Sequence, residues 1–220
     1  MLNLILIVIL SYLVGSIPNS IIITKLVKGV DIRDYGSGNA GGTNVSRVLG
    51  KKYGILVIIL DALKGAIAVV LIARLYLGNF PFHNSTPFDD FTLVQIIAGV
   101  AAVVGHIWTI FAGFKGGKGI ATGLGVLISI ITLDMLIGLV VFIAVVGISR
   151  YVSLGSISAA VSIPAIMFIR KNIFHAQVTG YSTVLPFTIL LALLVIYTHR
   201  ENLKRVFAGQ ESKLSFKKKK

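Results

Sequence analysis

Long apolar runs follow one another through this chain, and a backbone lying in lipid must satisfy its own N–H and C=O groups, which a helix does within a single segment. Hydropathy places spans near Leu2 to Ile23, Tyr53 to Leu77, Leu93 to Ala112, Leu154 to Ile169 and Thr183 to Thr198, with a longer run from Ile120 to Ser149. Hydrophobic residues make up 55% of the chain and charged residues 13%, too apolar for a soluble domain. The expected fold is an all-α integral membrane protein, a helix bundle forming one domain over residues 1–220, without internal repeat. Leu2 to Ile23 lacks a basic leader and carries Ser11, Gly15, Ser16 and Pro18, so it reads as a retained span and not as a cleaved signal.

The net charge of +13 suggests nucleic acid at first sight, but 8 of the 21 Lys and Arg lie from Arg200 onward, ending in Lys217 to Lys220. On a membrane protein this is a topology signal and a contact for anionic lipid, and no nucleic acid is expected. Lys25, Lys28, Arg33, Arg47, Lys51 and Lys52 put the first loop in the cytoplasm, whereas Gly78 to Thr92 holds Asp89 and Asp90 without Lys or Arg. The third span then returns Lys115 and Lys118 to the cytoplasm, and the basic C-terminal tail is cytoplasmic too. An even number of crossings must separate them. Splitting the run Ile120 to Ser149 into two helices of about 14 residues that turn near Thr132-Leu133-Asp134 satisfies that parity, at ~21 Å each. The expectation is seven transmembrane helices, N-terminus outside and C-terminus cytoplasmic, with Arg170-Lys171 left outside against the charge rule.

Two glycine-rich basic stretches lie on the cytoplasmic side: Gly36 to Arg47, and Gly113 to Thr122. Each offers backbone N–H groups, hydroxyls and a cation, the chemistry that holds phosphate without a metal. Gly36, Gly38 and Gly41 form a G-x-G-x-x-G, but no strand precedes it and no βαβ unit follows, which rejects a dinucleotide fold. Ala112 stands where a P-loop needs its first Gly, and Gly119 follows Lys118 where it needs Ser or Thr. There are no cysteines, which removes disulfides, thiolate metal sites and a Cys-acyl intermediate.

The remaining polar groups have plain structural readings. His106 has Phe111 where a His-x4-Asp acyltransferase dyad needs Asp, so it reads as a packed histidine bonded to a neighbouring loop. Asp61 and Lys64 share a helix face inside the second span and read as an internal ion pair. Ser153 reads as a helix cap. His199 and Asn202 face the same way as the last helix leaves the membrane.

With these residues assembled, the chain resembles the bacterial acyl-phosphate-dependent glycerol-3-phosphate acyltransferases over nearly its whole length. The resemblance is carried by Gly15-Ser16-Ile17-Pro18, by Gly-Ser-Gly-Asn-x-Gly-x-Thr-Asn-x-x-Arg at Gly36 to Arg47, and by Asp61-x-x-Lys64-Gly65. It continues in Gly105-His106 through Gly116-Gly117-Lys118-Gly119 to Ala121-Thr122, and in Glu201-Asn202 through Arg205 to Gly209 and Glu211. The chain departs at Gly155, where the family reads Ser, which leaves Ser156 as the better candidate hydroxyl. The resemblance implies a seven-helix bundle in the bacterial inner membrane with a cytoplasmic site. It further implies acyl transfer from acyl phosphate to the 1-hydroxyl of sn-glycerol 3-phosphate, giving lysophosphatidic acid and inorganic phosphate.

In that chemistry Lys118 with the Gly116, Gly117 and Gly119 backbone, Thr43 and Ser37 are assigned to the acyl phosphate, and Arg47, His199 and Asn202 to glycerol 3-phosphate. Asn39, Asn44 and Ser156 orient donors around them. Asn44 counts among the substrate-binding residues, and Lys118, Ser37, Asn39, Thr43 and Ser156 form the catalytic set. No cofactor, metal or obligate protein partner is expected beyond membrane lipid. The alternative is a transporter of a phosphorylated metabolite, which needs similar anion-binding residues but also a polar path to the far side.

Overall fold

The computed structural model describes residues 2–77, 89–178 and 180–214. Most of the predicted external loop Gly78 to Thr92, and the terminal Lys217 to Lys220, lie outside the described residues. The ten α-helices among them are α1 (Leu2–Gly15), α2 (Asn19–Lys28), α3 (Gly42–Val48), α4 (Lys51–Val70), α5 (Asp90–Ile107), α6 (Ile120–Ile130), α7 (Thr132–Ser149), α8 (Val152–Asn172), α9 (Tyr181–Thr198) and α10 (Arg200–Phe207). They fall into two compact units, Met1–Ile130 and Ile131–Lys220.

In the first unit α1 packs on α5, and α4 on α6. Both crossings are made by small residues. A Cβ on Gly15 or Gly105 would strike the backbone of Ala102 or Tyr12, and one on Gly65 or Gly125 would strike that of Thr122 or Ala62. Backbones that approach this closely gain dispersion contact, which is what holds helices together where lipid is as apolar as the side chains. Ile7, Ala68, Val94 and Ala98 fill one core, while Ile21, Ile32, Ala40, Val45 and Val57 fill another directly beneath the first glycine motif. Ile5, Ile9, Ile55, Ile59 and Leu63 point outward, the side that helices turn to lipid.

The first predicted span is interrupted. Pro18 has no N–H to donate, so α1 stops at Gly15 and α2 begins at Asn19. The long apolar run is broken too, at Ile131, but into helices of 11 and 18 residues where two of about 14 were expected. Thr132 and Asp134 lie in the first turn of α7, where short polar and acidic side chains suit a helix start. Among the described residues six helical stretches are long and apolar enough to cross a membrane, whereas α6 rises only ~16 Å.

In the second unit α8 packs on both α7 and α9. Arg170 at the end of α8 donates to Asp134 Oδ2 at 2.6 Å. The cation that sat awkwardly in the charge rule is therefore neutralised by the acidic residue at the start of α7.

Candidate active site

Residues 36–41 form a loop, but the second half of the first motif is helical: Thr43, Asn44 and Arg47 lie on α3. The buried Asn44 shapes this segment. Its Nδ2 donates to the carbonyls of Ile32 (3.1 Å), Tyr35 (2.8 Å) and Asn39 (3.1 Å), and its Oδ1 accepts from Ser37 N (2.9 Å). Gly36 lies at φ 61°, and a Cβ there would collide with Asn44 Oδ1, so glycine is required by both backbone and space. Asn44 is thus turned into the protein. Its amide is taken up by bonds to the loop. Ser37 and Arg47 are exposed, and Asn39 and Thr43 half-buried.

The second motif runs from a short 3-10 turn at Ile110–Ala112 into α6. Gly116 N donates to Ile107 O (3.0 Å) and Gly117 N to His106 O (3.1 Å). Two of the N–H groups expected to cradle phosphate are therefore bonded to the end of α5, and both glycines are closely packed against it. Gly119, at φ 79°, turns the chain into α6, whose first N–H groups have no partner within the helix. Lys118 stands half-buried just before that end.

Arg33 joins the two motifs. Its Nη1 donates to Ala112 O (2.8 Å) and Lys115 O (3.3 Å), while Nε and Nη2 donate to the Asp31 carboxylate at 3.0 and 2.8 Å. The side-chain bond from Arg33 holds the Asp31 carboxyl below its ordinary value, and the same bond raises Arg33. In sequence Arg33 counted only as a topological cation. Its spacing two residues after Asp31, ahead of a glycine motif, was the available signal.

Below the loops lies a buried polar cluster. Lys64 Nζ stands 3.2 Å from Asp61 Oδ1 and donates to Ile17 O at 2.9 Å. Asn19 Nδ2 donates to Asp61 Oδ1 at 2.9 Å, and His106 Nδ1 lies 3.8 Å from the same oxygen. Thr109 Oγ1 donates to Ser16 O. The ion pair and the packed histidine expected from sequence are both present, and they meet.

In the second unit Glu211 is the centre of a polar group. It accepts from Asn202 Nδ2 (2.6 Å) and Ser153 Oγ (3.4 Å) on one oxygen, and from Arg205 Nε (2.8 Å) on the other. His199 is buried, with Nδ1 2.8 Å from Val195 O. Ser156 Oγ donates to Val152 O at 3.0 Å within α8, so Ser153, read as a helix cap, is the hydroxyl tied to Asn202 through Glu211. Among the described residues no group of three or more His, Asp or Glu side chains is arranged to hold a metal.

The profile of the family described as glycerol-3-phosphate acyltransferase matches residues 5–209. Two proteins named glycerol-3-phosphate acyltransferase are similar end to end. The one from Chlorobaculum tepidum is 46% identical over 237 residues, covering 100% of both chains. That from Chlorobium chlorochromatii is 43% identical, covering 99% of this chain and 100% of its own. The chain belongs to the glycerol-3-phosphate acyltransferase family. Among solved structures, PlsY, described as an integral membrane glycerol 3-phosphate acyltransferase, matches in its glycerol 3-phosphate form with a TM-score of 0.81 at 39% identity, covering 96% of each chain. Its lysophosphatidic acid form matches with a TM-score of 0.78 at 38% identity, covering 96% of this chain and 95% of that one. Membership in this family supersedes the transporter alternative.

Proposed function

We propose that this protein transfers a fatty acyl group from acyl phosphate to the 1-hydroxyl of sn-glycerol 3-phosphate, releasing lysophosphatidic acid and inorganic phosphate. The observation that carries the reading is the placement of Lys118 just ahead of the N-terminus of α6, which sets a cation in the same stretch of chain as the positive end of a helix dipole. Both substrates are anions, so the first task of such a site is to relieve their repulsion. The second is to hold the hydroxyl in line with the carbonyl carbon.

In this reading Lys118, Gly119, Thr43 and Ser37 receive the acyl phosphate, and Asn39 with Asn44 shapes the loop that presents them. Arg47 receives the phosphate of glycerol 3-phosphate through a bidentate fork. In the second unit His199 and Asn202 are assigned to glycerol 3-phosphate, and Ser156 to orientation. The hydroxyl oxygen forms a bond to the acyl carbon, the bond from that carbon to the phosphate oxygen breaks, and the proton leaves on the phosphate. The donor is already an anhydride with a good leaving group, so this route needs no strong base.

Purified protein should form lysophosphatidic acid from acyl phosphate and glycerol 3-phosphate, with little product from acyl-CoA or acyl carrier protein. Equal turnover of acyl-CoA would overturn the donor assignment.

The same reading places both glycine motifs in the cytoplasm, with seven spans in the bacterial inner membrane and the N-terminus outside. Because the chain has no cysteine, single-Cys variants report topology cleanly. Lys52→Cys and Ser212→Cys should react from the cytoplasmic side, and Ser85→Cys from outside. Reaction of Lys52→Cys only from outside would reverse the topology.

A further inference from the structure

The ion pair of α4 poses a question of energy. Charges brought into a membrane interior are costly, and replacing a buried pair by apolar residues is commonly neutral or stabilising. Stability alone therefore gives Asp61 and Lys64 little reason to be where they are. Their contacts give another. Lys64 donates to Ile17 O in the break between α1 and α2, and Asn19 of α2 donates to Asp61. His106, the third member, is 7% exposed. Its carbonyl accepts from Gly117 N, and its ring lies directly against Gly117. A Cβ at Gly117 would overlap His106 Nε2 on one side and stand 2.6 Å from Ala40 O, in the first motif, on the other. The two glycine motifs thus touch at Ala40 and Gly117, over the imidazole.

We infer that Asp61, Lys64 and His106 are positioning residues that set the height and orientation of the Gly116 to Lys118 segment against the first motif, and so place Lys118 for the donor phosphate. The assignment to the donor rests on the acyl-phosphate reading above; the mechanical role does not. Asp61 faces His106 Nδ1, Lys64 and Asn19 fix Asp61, and the far edge of the ring is the floor on which Gly117 rests. Removing the ring leaves the bundle's apolar packing intact but lets Lys118 drift. Displacement of a catalytic group by about 1 Å costs up to roughly a hundredfold in rate.

The test uses His106→Ala and His106→Gln, the second keeping an amide that can bond Asp61 while losing the flat ring. Each is made with and without Lys115→Cys carrying a nitroxide at the exposed tip of the second motif. His106→Ala should raise KM for acyl phosphate on the order of tenfold and lower kcat, while KM for glycerol 3-phosphate stays within about twofold. His106→Gln should do the same to a lesser degree. The nitroxide spectrum should sharpen in both variants as the segment loosens. Normal donor KM with an unchanged spectrum in either folded variant would overturn the inference, as would equal loss of affinity for both substrates. Failure of both variants to fold would show that His106 holds the bundle and not the loop. If the parent protein takes no acyl phosphate, the donor reading falls while the spectrum still decides the positioning.

Discussion

Lys118→Ala should lose about a hundred- to a thousandfold in kcat while inserting and folding like the parent protein. A preorganised cation aimed at developing charge is worth ~3 to 4 kcal/mol in a dry site, and that is its cost when removed. Folding is spared because Lys118 precedes α6 and belongs to neither apolar core of the first unit. Lys118→Arg should recover part of the rate, since charge survives but the point geometry of the ammonium does not. The measurement is kcat for acyl phosphate at saturating glycerol 3-phosphate, with the thermal midpoint as the folding control. Turnover within a fewfold of the parent would remove Lys118 from the site.

Asp61→Ala should cost stability and not merely rate. Lys64 is 4% exposed on its side chain, and a buried ammonium that loses its carboxylate forfeits roughly 3 to 5 kcal/mol, against a total of ~5 to 15 kcal/mol for a typical fold. The variant should accumulate poorly and show a strongly lowered thermal midpoint in detergent. Asp61→Ala combined with Lys64→Met should regain most of it, because no buried charge is then left unpaired. That double variant separates the two roles of the pair. It should be folded yet keep the raised donor KM expected of His106→Ala, since nothing then holds the ring. An unchanged midpoint in Asp61→Ala would show that Lys64 is not compensated by Asp61.

How far the sequence could be read depended on whether a feature is local. The spans were legible because each apolar run must bond its own backbone, whatever its neighbours do. The turn near Thr132 follows from short polar and acidic side chains, whereas the break at Pro18 departs from the single span expected over Leu2 to Ile23, because proline lacks the N–H that a continuous helix needs. The glycine motifs were legible as a combination of bare backbone and charge. Their internal wiring was not: that Gly116 and Gly117 donate to the end of α5, and that Asn44 spends its amide on three carbonyls, depends on which atoms lie opposite once the loops close. Arg33 and Glu211 were underweighted for the same reason, since each is bonded to a partner distant in sequence or to backbone that no pattern displays.

By itself, then, the sequence determined that this protein is helical, lives in a membrane and carries two glycine-rich basic motifs. These are properties of composition, period and covalent restriction, which each segment carries alone. Only the tertiary structure decided that the Gly116 and Gly117 N–H groups bond the end of α5, that Asn44 ties together the loop of the first motif, that Glu211 gathers Asn202, Arg205 and Ser153 within the second unit, and that a buried ion pair meets His106 beside Gly117. Hydrogen bonds are directional and short, so their partners are settled by where distant segments come to rest.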